Sequence, residues 1–168
     1  MAETAGFGVN ADGRTDRPGE GLWSSLQDAF AGRCDIHGAD KGGDMGSIPT
    51  GTESMRPFIP AQDFERSKSF YETIGFEKVF DGEVAIFDAG SGGFILQRYY
   101  QKQWAENFMM QLLVDDLDAW WAHIEELDLP SKFRVQPPKP PALQPWGLRV
   151  AYVYDPCGVL WHVTQRSA

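Results

Sequence analysis

The segment VAYVYDPCGVLWHVTQ, residues 150–165, has the pattern of two β-strands joined by a tight turn. Apolar and aromatic residues lie on both sides of the turn residues Asp155–Gly158. In such a turn, aspartate accepts hydrogen bonds from the amides that follow it, proline restricts φ, and glycine tolerates a positive φ. The segment therefore predicts a β-hairpin whose side chains alternate between two faces. We expect either Trp161 or His162 on a concave face.

The hairpin ends a unit that occurs twice in the chain. In the first copy, Asp63 is a predicted helix N-cap and Gly75 a predicted C-terminal cap. Adding 53 to the residue number gives a second predicted N-cap, Asp116. A stripe of residues at helical spacing, mostly apolar, follows both caps: Phe64, Ser67, Tyr71 and Ile74 in the first copy, and Leu117, Trp120, Ile124 and Leu127 in the second. Such an internal repeat predicts one supersecondary unit used twice.

Each predicted helix is preceded by one β-like run and followed by three. The leading runs are Phe58–Ala61 and Phe108–Val114; the following runs are Glu77–Phe80, Val84–Asp88 and Phe94–Tyr99 in the first copy and Lys132–Gln136, Leu148–Tyr154 and Val159–Thr164 in the second. The sequence thus predicts an α+β fold in which paired βαβββ modules, residues 55–103 and 104–168, form a curved mixed sheet. The helix covers one face of each module, which leaves a concave cleft as the expected ligand site.

Residues 1–54 differ in composition from the rest of the chain. They hold most of the 18 glycines and show little apolar periodicity, so they bury too little surface to offset the entropy of ordering. The segment Leu22–Ala31 is an exception, because its apolar residues follow helical spacing. We predict a tail of low order with one short helix over residues 22–31, followed by one compact domain over residues 55–168.

Charge and cysteine content narrow the classes of partner and compartment. Acidic residues outnumber basic ones by 24 to 15, and the formal net charge is −9. Because nucleic acid binding needs a basic surface, nucleic acid is not an expected partner. No run of residues is apolar enough to cross a membrane, so no membrane partner is expected. The two cysteines lie far apart in the sequence, which favours the reducing cytoplasm over a disulfide-forming compartment.

The repeated motifs resemble those of the vicinal oxygen chelate superfamily, which includes glyoxalase I, extradiol dioxygenases, and fosfomycin- and bleomycin-resistance proteins. The residues that carry the resemblance are 60–67 (PAQDFERS), Phe70–Tyr71 with Gly75–Phe76, 114–117 (VDDL) and the turn Asp155–Gly158. The resemblance implies the duplicated βαβββ fold. It does not imply a single function, since this fold hosts many chemistries.

Metal-dependent members of that superfamily bind their ion at four positions, which correspond by resemblance to Arg56, Gln97, Met109 and His162. A divalent ion there needs His, Glu, Asp or Gln side chains. His162 is a suitable ligand and Gln97 a poor one, whereas Arg56 would bring a positive charge. We therefore predict no metal, no cofactor and no catalytic residue. The alternative is a metal-dependent lyase, isomerase or thiol transferase of the glyoxalase or fosfomycin-resistance type that uses His162 and Gln97.

Aromatic side chains are concentrated in the predicted strands and in the loops beside them. Five prolines stiffen the segment 137–146 and hold Trp146 at its end. The residues 57–64 (PFIPAQDF) resemble the opening motif of the bleomycin-resistance subgroup in particular. That resemblance implies a metal-free homodimer with aromatic clefts between its subunits, which sequesters a large cationic glycopeptide.

The sequence therefore predicts a cytoplasmic, dimeric protein that binds a cationic, aromatic small molecule of the bleomycin type without catalysis. The predicted ligand contacts are Trp104, Trp146, Trp161, Tyr99, Phe108, Tyr152, Gln97 and His162. Strand periodicity assigns about half of the aromatic residues to the core and half to the cleft, but it does not separate them. A further alternative is a regulatory module whose tail helix, residues 22–31, binds another protein.

Overall fold

The structure, a computed structural model, describes residues 50–52 and 54–166. The predicted tail helix at residues 22–31 lies outside this part of the chain. The elements in chain order are β1 (Phe58–Pro60), α1 (Phe64–Ile74), β2 (Glu77–Asp81), β3 (Val84–Ala89), β4 (Gly92–Gln97), α2 (Lys102–Ala105), β5 (Met109–Val114), α3 (Leu117–Leu127), α4 (Leu129–Phe133), β6 (Lys139–Leu143), β7 (Arg149–Tyr154) and β8 (Leu160–Gln165). None of these helices is long and apolar enough to cross a lipid bilayer.

Both long helices begin at the aspartates that the sequence indicates. The Asp63 side chain accepts a hydrogen bond from the Arg66 amide at the start of α1, and Gly75 ends that helix with a φ of 106°. Asp116 accepts from the Ala119 amide at the start of α3 in the same way. These bonds satisfy amides that have no partner within the helix. The predicted repeat of helix caps is therefore confirmed.

The two modules have the same strand order. Module one forms the sheet β1-β4-β3-β2, and module two forms the sheet β5-β8-β7-β6. In each module, the strand before the helix pairs in parallel with the last strand, and the other pairs are antiparallel. The predicted α+β fold of duplicated βαβββ units is thus confirmed.

The predicted strand Lys132–Gln136 is wrong. Residues Leu129–Phe133 form α4, which carries a proline at its start, where a missing amide hydrogen costs nothing. The strand β6 follows within the proline-rich segment, at the edge of its sheet, and its register to β7 shifts between Lys139 and Ala142. Edge strands and bulges accommodate proline because some of their amides need no partner in the sheet. Because prolines are uncommon in strands, the sequence did not indicate β6.

One hydrophobic core joins the two modules. Tyr71 of α1 lies at its centre, and the rings of Phe76, Phe94 and Trp161 have centroids 4.6 to 6.0 Å from that of Tyr71. Phe94 in β4 and Trp161 in β8 occupy corresponding positions of the two sheets, and their centroids are 5.5 Å apart. The core thus holds the modules together through equivalent strands, and it orients the opposite face of each sheet.

Candidate ligand-binding face

The face of the second sheet that points away from the core carries polar, aromatic and exposed apolar side chains. Strand pairing aligns them in three rows across β5, β8 and β7: Met109–Leu160–Tyr154, Gln111–His162–Tyr152 and Leu113–Thr164–Val150. We call these nine residues the open face. Met109 and Leu113, on the edge strand β5, are 63% and 55% exposed there.

His162 and Tyr152 form the centre of the open face. Their rings are perpendicular, with centroids 4.9 Å apart. Partial burial lowers the pKa of His162, so the imidazole is neutral at physiological pH and has one donor and one acceptor nitrogen. Its Nε2 atom is buried and has no hydrogen-bond partner among the described residues. Such an atom is uncommon in folded proteins, and a bound molecule or a second chain can satisfy it.

A cavity of about 330 Å³ lies at one end of the open face. Its floor contains Met109, Leu160 and Tyr154, which form one row of the open face. The described residues that line it are Glu106, Asn107, Met109, Gln136, Tyr154, Gly158 and Leu160. We call it the side cavity. It combines an apolar floor with one carboxylate and two carboxamides, a composition that suits a small organic group with a polar end.

The structure distributes the predicted contact residues over several places. Tyr152 and His162 meet on the open face, whereas Trp161 lies in the core at 5% exposure and Phe108 packs against that core. Tyr99 and Trp104 form an exposed pair beside α2, with ring centroids 6.3 Å apart. Trp146 is exposed in the turn between β6 and β7, and Gln97 lies in the first sheet, where it pairs with Val84 and Pro60. The open face thus unites two of the eight residues.

Several residues of this region were missed by sequence reasoning. Tyr154 and Leu160 are two positions from Tyr152 and His162 on the same strands, so their side chains lie on the same face. Met109 pairs with Leu160, so the correct strand register could have identified all three. Glu106, Asn107 and Gln136 lie outside the strands, and no periodic signal marks them.

The residues at the positions of the superfamily's metal ligands do not fit a divalent ion. The pairing of Phe58 with Ile95 corresponds to that of Gln111 with His162, so Ile95 and not Gln97 is the counterpart of His162. The guanidinium of Arg56 forms an ion pair of 2.9 Å with Asp88. Within residues 50–52 and 54–166, no three His, Cys, Asp or Glu side chains are grouped as a metal site would require. These positions therefore do not supply the set of ligands that a divalent ion needs.

A buried polar network anchors the hairpin that carries the open face. The Asp155 carboxylate accepts hydrogen bonds of 2.8 Å from the Tyr71 hydroxyl and from the amides of Cys157 and Val159. Burial raises the pKa of Asp155 to about 6. The Cys157 sulfur accepts a bond from the Gln62 amide, and burial raises the pKa of this thiol, so it is a poor nucleophile. The network links α1 of module one to the turn of module two.

A family model described as the Glyoxalase/Bleomycin resistance protein/Dioxygenase superfamily matches residues 55–163. The chain belongs to this superfamily. The matched residues include eight of the nine residues of the open face, all except Thr164.

Two similar solved structures are of bleomycin-binding proteins, and one curated relative is a bleomycin resistance protein. A bleomycin resistance protein from Klebsiella pneumoniae is 28% identical over 122 residues, which is 69% of this chain and 94% of the relative. A bleomycin-binding protein solved in complex with bleomycin is 28% identical with a TM-score of 0.60, over 69% of this chain and all of that chain. The bleomycin-binding protein of Streptomyces verticillus, solved with copper(II)-bleomycin, is 25% identical with a TM-score of 0.60, over 73% of this chain and all of that chain.

Proposed function

We propose that this protein binds a cationic, aromatic small molecule of the bleomycin type on the open face and sequesters it without chemical change. The observation that carries the proposal is the surface itself, in which a neutral imidazole and a phenol ring lie among exposed apolar side chains. Such a surface offers stacking and hydrogen bonds to a planar ligand. The bleomycin-binding relatives at 25–28% identity support the same class of ligand.

Binding in this proposal does not depend on a metal ion held by the protein. Its support is the mismatch of Arg56, Ile95 and Met109 with the ligands that divalent ions prefer. A cation on the ligand would instead be attracted by the formal net charge of −9 and by aromatic faces. The cytoplasmic location predicted from the sequence is part of the same proposal.

A homodimer completes the proposed site. Met109 and Leu113 are large apolar residues that one chain leaves exposed on the open face, and Trp146 stands exposed in the turn after β6. Contact with a second copy would remove this apolar surface from water, and it would add walls to a shallow face. Sedimentation of the purified protein at micromolar concentration should therefore give the mass of two chains, and Leu113→Glu should give the mass of one.

Calorimetric titration with bleomycin tests the central claim. We expect a dissociation constant of about 1 µM or lower for the wild-type protein. Trp146→Ala should weaken binding about tenfold because it removes an exposed stacking surface, whereas Trp146→Tyr, which keeps a ring, should restore most of the affinity. Treatment with a chelator should leave binding unchanged, and the ligand should be recovered chemically intact.

Two outcomes would contradict the proposal. A flat titration with bleomycin would remove the assigned class of ligand. Stoichiometric metal in the purified protein, together with loss of binding on chelation, would favour the metal-dependent alternative of the superfamily.

A further inference from the structure

The side cavity is too small to hold a whole glycopeptide. Pockets that enclose a drug-sized ligand have volumes of about 300–1,000 Å³. At about 330 Å³, the side cavity lies at the lower end of that range, and it opens beside the row Met109–Leu160–Tyr154 of the open face. A large ligand that lies on the open face can therefore place only one of its arms in the side cavity.

The chemistry of the lining indicates which arm fits. Glu106 is the one charged residue among those that line the cavity, and Asn107 and Gln136 add carbonyl oxygens that accept hydrogen bonds. Met109 and Leu160 offer apolar contact, and the Tyr154 ring can face a cation. An alkyl chain that ends in a guanidinium or ammonium group matches all of these features, whereas a carboxylate or phosphate would be repelled by Glu106.

The Glu106 side chain lines the cavity and lies against the turn of the hairpin. A Cβ atom at position 158 would lie 3.1 Å from Glu106 Cγ, so Gly158, with a φ of 91°, allows the side chain to lie against the turn. Its ion pair with Lys102 is 3.7 Å long, and both side chains are more than half exposed. Exposed pairs of this kind contribute about 0–1 kcal/mol. A ligand cation can therefore replace Lys102 at little cost.

We propose that the side cavity is a subsite for the alkyl-linked cationic end of the ligand, with Glu106 as the residue that selects positive charge. The inference rests on the proposed function, because it assigns one part of that ligand to one part of the surface. Asn107 and Gln136 bind the remaining N–H groups of the cation, and the row Met109–Leu160–Tyr154 contacts the alkyl chain and the face of the cation.

The subsite can be tested with two small probes of the same shape. Butylguanidinium carries the charge, and butylurea is its neutral counterpart. In titrations of the ¹⁵N-labelled full chain, the side-chain amide signals of Asn107 and Gln136 should shift saturably, with butylguanidinium binding at least about fivefold more tightly than butylurea. Glu106→Gln should bring the two dissociation constants within about twofold, since it removes the carboxylate and keeps the shape. Glu126→Gln is the matched control, because this exposed acid lies on α3, which packs on the core side of the second sheet.

A second titration, with bleomycin, separates this inference from the proposed function. Glu106→Gln should weaken bleomycin about fivefold, and Glu126→Gln should leave the affinity unchanged. If bleomycin fails to bind while the charge preference for butylguanidinium persists, the proposed function is wrong and the subsite stands. If bleomycin binds but Glu106→Gln leaves the preference for butylguanidinium intact, or if neither probe shifts the wild-type signals, the subsite is wrong.

Discussion

On the outward face of the first sheet, Ile95 is the partner of Phe58 and is 4% exposed; on the second sheet, the corresponding position holds His162, which pairs with Gln111. Val84 and Ile86 are likewise buried in the first module, whereas Met109 and Leu113 are exposed in the second. The modules thus share one topology and one arrangement around the core. Both outer faces carry aromatic and polar groups, Phe58 and Gln97 on the first sheet and Tyr152 and His162 on the second, but the first sheet has the aliphatic Ile95 where the second has His162. The two modules have the same fold, and the side chains on the outer face of the second sheet make that face a candidate binding surface.

The largest effect is expected where the modules meet. Trp161→Ala should lower the free energy of unfolding by about 3–5 kcal/mol, because it leaves a cavity against Tyr71, Phe76 and Phe94. Trp146→Ala, at an exposed site, should lower it by less than about 1 kcal/mol. Urea denaturation of both variants measures the difference. Equal losses would show that the two tryptophans do not differ as core and surface residues.

The corresponding positions on the two outer faces give the next test. Ile95→Ala should cost about 2–4 kcal/mol of stability, since the side chain is buried. His162→Ala should cost less than about 1 kcal/mol, because it removes a half-buried ring whose Nε2 is unsatisfied among the described residues, and it should weaken bleomycin binding. Denaturation and calorimetry on the same two variants separate the roles. If His162→Ala is as destabilising as Ile95→Ala and leaves affinity intact, the outer faces are equivalent.

The turn between β7 and β8 should make the stability of the protein depend on pH, through Asp155. In the folded protein the pKa of Asp155 is raised from 3.8 to about 6, mainly by burial. The folded state therefore holds this proton more tightly than the unfolded chain. Its contribution to stability is full below about pH 4 and is lost as the pH rises through about 6, by at most about 3 kcal/mol.

Urea midpoints measured between pH 4 and pH 8 should reveal this loss in the wild-type protein. The Asp155→Asn variant, which has no titrating group at this position, is the control, and its pH dependence should lack that component. Parallel curves for the two proteins would contradict the assignment to Asp155.

The smallest effects are expected at two turn glycines, Gly90 between β3 and β4 and Gly158 between β7 and β8. Gly90 has a φ of 61° with open space around its Cα, so Gly90→Ala should cost about 1 kcal/mol from backbone conformation. Gly158→Ala should cost about 2 kcal/mol, because the new methyl group also meets the Glu106 side chain. Thermal unfolding of both variants checks this order. The reverse order would mean that Glu106 does not lie against the turn.

Local signals in the sequence were sufficient to predict most of the helices, strands and turns. The caps Asp63 and Asp116 and the turn Asp155–Gly158 act through hydrogen bonds to nearby amides, so their residue types alone indicate them. The strand β6 was missed because its prolines contradict strand propensity, and only an edge position in the sheet makes them acceptable.

The candidate site was less predictable. The sequence named Tyr152, His162 and Trp161 together as ligand contacts, and the structure places the first two on the open face and Trp161 in the core. A strand places successive side chains on opposite faces. When both faces carry aromatic residues, the sequence does not indicate which of them face the core. Glu106 and Gln136 are 30 positions apart in the sequence, and no local pattern connects them.

By itself, the sequence determined the duplicated unit, the starts of its two long helices and its hairpin turns, because these depend on interactions between residues a few positions apart. The tertiary structure decided which side of each strand meets the core, and it brought Glu106, Gln136 and Tyr154 around one cavity. Those outcomes depend on how two sheets and their helices pack together, since the burial of Tyr71, Phe94 and Trp161 in one core sets the direction of every alternate side chain.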